Sequence, residues 1–297
     1  MMFVTDAVKL LRRLNDAKAS GNEIDLSFDE RLSLALTLHW VHRSARLGPD
    51  GIPAKSVLDS PVDRYVLDVS AAASRLDVCI RHGKVTIKQI DSPPPQEWLH
   101  NIGLSEYEFY QHLLDTGTVI VHSALDRGLL FLNTVLALGL ESRLCNFDSV
   151  KKHIRESFPQ ILKATAHLRE LVFPIAASRH HYVHRGESRA LNLFSGVRRM
   201  HAITKAFSVP TDGVRIKDTE ARWELLKTLR SETAATEDAL RELKESARGA
   251  FTNRLSDVGG LSPPTEVEIE RFVQVTEYFQ GGPIPAWMER GDGLKDF

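Results

Sequence analysis

From Thr219 to Val258, Leu226, Leu229, Leu240, Leu243, Ala247, Phe251 and Leu255 mark a mostly apolar stripe, and charges fill the positions between. A rhythm of this period, sustained so long, fits one very long helix or two joined end to end with an exposed flank. The same signal dominates the rest of the chain and points to an all-α fold.

Starts and stops of further helices can be read locally. Ser27-Phe28-Asp29-Glu30 has the capping-box order, a hydroxyl followed three residues later by a carboxylate, and opens a run through Leu32, Leu34, Leu36, Leu38 and Val41 that Gly48 closes. Pro61 suits a first helical position, with Val62, Tyr65, Val66, Val69, Ala73, Leu76 and Ile80 at helical spacing. His82-Gly83 is expected to end that helix. The alternation from Lys84 to Ile90 then predicts a short strand, although no convincing partner strand follows. Ser92-Pro93-Pro94-Pro95 is the best linker, because consecutive prolines cannot continue a helix. Ser105-Glu106-Tyr107-Glu108 is a second capping box, leading a long helix that ends near Gly139. Another helix follows Asp148 and is interrupted at Pro159; Pro174 opens a new segment, and a helix covers Ala190 to Phe207. A last helix runs from Thr265 to before Gly281. The expected organisation is a helical region over 1–99, a helical bundle over 100–280 and a flexible tail over 281–297.

Composition limits the partners. Hydrophobic residues make up 42% and charged residues 26% of 297, an ordinary globular balance, and the formal net charge is -1. A contact with nucleic acid must therefore come from a local basic patch. Cys79 and Cys145 both fall in apolar helical stretches and read as buried thiols, which suits a reducing compartment. The start lacks the pattern of a signal peptide, and the longest apolar stretches are too short to span a membrane. The expectation is a cytoplasmic protein with no membrane partner.

The stretch Phe173-Pro-Ile-Ala-Ala-Ser-Arg179-His180-His181-Tyr182-Val183-His184-Arg185-Gly186-Glu187 is the densest in chemistry. Arg179 is followed directly by a polar residue and, after four intervening positions, by His184. This order resembles the signature of the HEPN family, and Ala124-Leu125-Asp126-Arg127 with Phe131-Leu132-Asn133 looks like the opening helix of such a domain. The resemblance covers about residues 100–260. It implies an up-and-down bundle of four or five helices, a homodimer, and metal-independent RNA cleavage with no cofactor. The implied role is that of a toxin or antiviral effector, with a cognate antitoxin or inhibitor protein as a further partner. Some family members carry a tyrosine two positions after the histidine that a partner enzyme modifies; Gly186 stands there, a departure from the pattern that puts this mode of silencing in doubt.

The chemistry suits the residues. Metal-free cleavage needs a base for the ribose 2′-hydroxyl, charge stabilisation at phosphorus and an acid for the leaving oxygen. Histidine serves as base or acid near neutral pH, and arginine's planar fork matches phosphate oxygens. His184 is thus the candidate base or acid, Arg179 the phosphate clamp, and His180 an assistant. One family-position histidine leaves one role unfilled, and a two-fold dimer would fill it. On an ideal helix Arg179 and His184 lie about 140° apart, whereas His180 and His184, at i and i+4, share a face.

Arg185, Arg189, Arg198, Arg199 and Lys205 stand near Glu187 alone among acids, a cationic window that can track phosphates. His181 and Tyr182 extend the candidate RNA-binding set, Tyr182 by stacking on a base. Other readings stay open. The arginines can pair with acids elsewhere, the cluster can be a solvated helix face, and His180 with His184 has metal-ligand spacing without the glutamate of His-Glu-x-x-His. The competing function is a non-enzymatic helical scaffold that binds RNA or protein. His39 and His42, beside Trp40, read as interior or boundary side chains, and Asp115 and Asp126 have no distinguishing context.

Overall fold

The computed structural model describes residues 25–44, 60–185, 220–259, 265–279 and 283–286; for 175–185, and for a few residues near helix ends, it describes the backbone alone. Among the described residues the chain is all-α, with eight α-helices, one 3-10 turn and no strand. The helices are α1 (Phe28–Ser44), α2 (Pro61–Asp91), α3 (Gln96–Asn101), α4 (Glu106–Val135), α5 (Phe147–Ile154), α6 (Pro159–Arg185), α7 (Glu220–Asp257) and α8 (Glu266–Phe279). None is long and apolar enough to cross a membrane. The expected helix over 190–207 and nearly all of the tail over 281–297 lie outside the described residues.

Both capping boxes form. Glu30 accepts from the Ser27 amide at 2.9 Å and from its hydroxyl at 2.8 Å, and Ser27 Oγ accepts from the Glu30 amide. Ser105 and Glu108 repeat the arrangement at the start of α4, and Thr265 and Glu268 do so at the start of α8. Each box satisfies amides that a helix start would leave bare.

Four expectations are corrected. Lys84–Ile90 is helix rather than strand, and Gly83 does not stop α2, which runs on to Asp91. Inward positions there are Cys79, Gly83, Thr86 and Ile90, a helical spacing, while Val85 is exposed. The stop comes at the prolines: the Ser92 amide still donates to the Lys88 carbonyl, and Pro93 follows. Pro174 does not open a segment but sits inside α6. Cys145 follows the 3-10 turn Ser142–Leu144 instead of lying in an apolar helix, and it is only partly buried.

The chain divides into two compact units. Among the described residues, unit 1 combines those up to Ala72, Thr134–Leu138 and those from Lys244 onward. Here Phe28 and Phe251 rings lie 5.4 Å apart, and Tyr65 stacks on Phe251 at 5.9 Å. Leu38 and Val41 of α1 bury against Ile269 of α8, with Leu34 and Phe272 beside them. The Tyr65 hydroxyl donates to the Val135 carbonyl at 2.8 Å, satisfying one of the acceptors that the end of α4 leaves over.

Unit 2 combines Ala73–Asn133 with Gly139–Leu243. One core cluster of this unit gathers Ile90, Leu99, Phe109, Tyr110, Leu113, Leu114, Leu225, Leu226 and Leu229. Arg222 of α7 caps the end of α2, donating to the carbonyls of Ile90 and Asp91. Three glycines lie where neighbouring helices come close. A Cβ added at Gly83 would stand 3.0 Å from the Thr233 methyl, one at Gly117 3.0 Å from a Leu229 methyl, and one at Gly128 3.0 Å from Leu168 and 3.1 Å from Leu243.

Candidate functional site

The α5–α6 hairpin, within unit 2, carries the motif segment. Asn146 caps α5, its side chain accepting from the Ser149 amide at 3.0 Å. After the turn at 155–157, Pro159 takes the first position of α6, where its missing amide costs nothing. Val150 and Ile154 of α5 are buried, as are Ile161, Ala164, Leu168 and Val172 of α6. His167 Nδ1 lies 2.8 Å from Glu242 of α7 on the outer side.

α6 then continues through Pro174 to Arg185. Proline has no amide to give to the carbonyl four residues back, that of Glu170, so the helix carries a local weakness one turn before the motif. Arg179, His180, His181, Tyr182, His184 and Arg185 all belong to the helical backbone of α6, and their side chains lie outside the described residues. Arg189, Arg198 and Arg199 lie wholly outside them. The backbone settles register. Arg179 and His184 sit at i and i+5, about 140° apart on a regular helix, and His180 and His184 share a face.

The sequence reading missed what stands just before the motif. Phe147, Ala166, Arg169, Glu170, Phe173 and Pro174 line a shallow groove of about 330 Å³. The Arg169 guanidinium lies 4.3 Å from the centre of the Phe147 ring, and Lys151 approaches the same ring at 6.0 Å. Phe173 is 68% exposed, the most exposed large apolar side chain among those described. The available signal was Arg169 and Phe173 at i and i+4, one turn apart and on the same helix as the motif.

Other candidates resolve into structure. His39 is buried, as expected, and its Nδ1 stands 2.5 Å from Asp63. Its Nε2 has no hydrogen-bond partner among the described residues. The Cys145 thiol is raised above its ordinary pKa, first by burial and then by the negative charge of Asp126. The thiolate is what attacks, so Cys145 is a poor nucleophile. Asp115 is buried in α4.

Comparison of the chain with protein-family models, with curated proteins and with solved structures finds no match.

Proposed function

We propose that the chain is a metal-independent endoribonuclease of the HEPN type, acting as a homodimer in a reducing cytoplasm. The observation that carries this reading is the order Arg179, His180 and His184 on a single helix, the two histidines one turn apart. In the mechanism one histidine takes the proton of a ribose 2′-hydroxyl. The 2′-oxygen forms a bond to the adjacent phosphorus as the bond to the 5′-oxygen breaks, and a second histidine gives that oxygen its proton. The products are a 2′,3′-cyclic phosphate and a 5′-hydroxyl. Arg179 holds the non-bridging oxygens through its fork. The two His184 side chains of a two-fold dimer supply base and acid, His180 orients or contacts phosphate, and the cationic window from Arg179 to Lys205 holds the flanking strand. A toxin or antiviral role, opposed by an inhibitor protein, is the biological setting this activity suits.

The test is incubation of purified protein with structured RNA in EDTA. Cleavage to 2′,3′-cyclic phosphate ends is expected, with a loss of at least about a hundredfold for His184→Ala. Arg179→Lys is expected to fail as well, since an ammonium lacks the bidentate fork. Both variants should melt near the parent temperature. If both fold and cleave normally, the chemistry lies elsewhere; intact RNA that shifts on a gel would make the chain a binding scaffold instead.

A further inference from the structure

We infer that the groove between Phe147 and Phe173 is a base-stacking subsite for single-stranded RNA, leading into the motif end of α6. The inference takes its ligand class from the proposed function, and the binding it describes does not require cleavage.

Register gives the first argument. Among the groove residues, Arg169 and Glu170 lie three and four positions after Ala166, and Phe173 lies four and three after them, one stripe of α6. On a regular helix the same stripe continues to positions 180 and 184, each within about 20° of position 173. Arg179 falls off it, about 120° away by the same geometry. With about 1.5 Å of rise per residue, position 173 precedes 180 by roughly 10 Å and 184 by roughly 16 Å along the axis. A strand whose phosphate lay near the histidines would carry a neighbouring base over the groove.

Chemistry gives the second. The floor is the Arg169 guanidinium held 4.3 Å over the Phe147 ring, a delocalised cation on which a base can stack, and Phe173 offers an aromatic wall open to solvent. Exposed Lys151, Lys152, Arg155 and Lys163 stand on the same hairpin, against Asp148, Glu156 and Glu170. With Arg169 these make five cations to three carboxylates, a local positive balance in a chain of net charge -1. That balance suits a polyanion. Size gives the third. About 330 Å³ is at the small end of ligand pockets, enough for one planar group and too little for a helix docking through several successive anchors.

The experiment measures fluorescence anisotropy of a labelled single-stranded oligoribonucleotide of about a dozen nucleotides, 2′-O-methylated so that it cannot be cut. Phe173→Ala is expected to weaken its binding roughly 5- to 150-fold, the range for losing one base–aromatic stack. Arg169→Gln should weaken binding too, while Phe173→Trp should restore it. Melting temperature should hold for all three, because Phe173 and Arg169 are exposed. Wild-type affinity in both Phe173→Ala and Arg169→Gln, or no binding of the oligonucleotide by the parent protein, would overturn the subsite. So would a Phe173→Ala protein that changes its sedimentation but not its RNA affinity, which would make the groove a protein interface. Loss of binding in Phe173→Ala, together with a parent that cuts no RNA, would uphold the subsite and refute the nuclease reading.

Discussion

Tyr65→Phe isolates a single hydrogen bond at the end of a helix. The substitution keeps the ring, its stacking on Phe251 at 5.9 Å and its buried volume, and removes only the hydroxyl that donates to the Val135 carbonyl at 2.8 Å. Val135 is the last residue of α4 and is fully buried, so water does not readily replace the lost donor. Leaving a buried acceptor unsatisfied costs about 1–2 kcal/mol. For a cooperative unit the size of unit 1 that corresponds to a fall of roughly 3–10 °C in Tm. The pH dependence sharpens the test. Burial holds the Tyr65 phenol above its usual pKa of 10.0, with Arg254 pulling weakly the other way. A folded-state pKa raised above the unfolded one contributes stability that is fully present below about pH 10 and is lost as pH climbs toward the folded value. The phenylalanine variant has no such group, so the gap between the two proteins should narrow above pH 10. Thermal melts followed by circular dichroism between pH 7 and about pH 11 read both effects. A variant that melts with the parent at pH 7, or a gap that stays constant to the top of the range, would refute this account of the bond.

Sedimentation velocity at micromolar concentration should show a dimer, and a purely monomeric protein would remove the composite two-histidine site. Replacing Arg198 and Arg199 by alanine should weaken RNA binding and lower the slope of log affinity against log salt by roughly 0.7–0.9 per lost phosphate contact; an unchanged slope would make both arginines structural. Gly128→Val should cost about 1–3 kcal/mol, because its methyls would enter space held by Leu168 and Leu243, and denaturant unfolding at parent stability would show that the helices yield instead.

What the sequence revealed was what depends on near neighbours. The capping boxes at Ser27 and Ser105 are contacts across three residues, and Pro61 sets a helix start through its own ring. The stretch from Lys84 to Ile90 misled because the inward positions leading to Ile90 are Gly83, just before it, and Thr86, residue types that do not look apolar. Val85 and Ile87 supplied a false alternation instead. Pro174 misled for a related reason: a proline ends a helix only when nothing else holds it, and α6 carries buried Leu168 and Val172 just before that position. The division into units was out of reach, because Ala72, Thr134 and Lys244 bear no mark of a boundary. The motif's order was legible, and its place on one helix follows from the backbone. The groove beside it depends on α5 folding back against α6, which no local pattern announces.

The close glycines of unit 2 bear on how such a sequence can drift. α7 faces each of them, through Thr233 at Gly83, Leu229 at Gly117, and Leu240 and Leu243 at Gly128. Arg222 and Glu242 of α7 hold neighbouring helices through polar contacts that a swap of like charge can keep, while the glycine contacts can change only together with their neighbours. A methyl gained at Gly128 is accommodated only when Leu168 and Leu243 both give way, and it then gains roughly 1 kcal/mol of helix propensity as glycine gives way to alanine. Distant copies of this chain should therefore keep α7 recognisable less by its residues than by a fixed sum of volumes at three crossings.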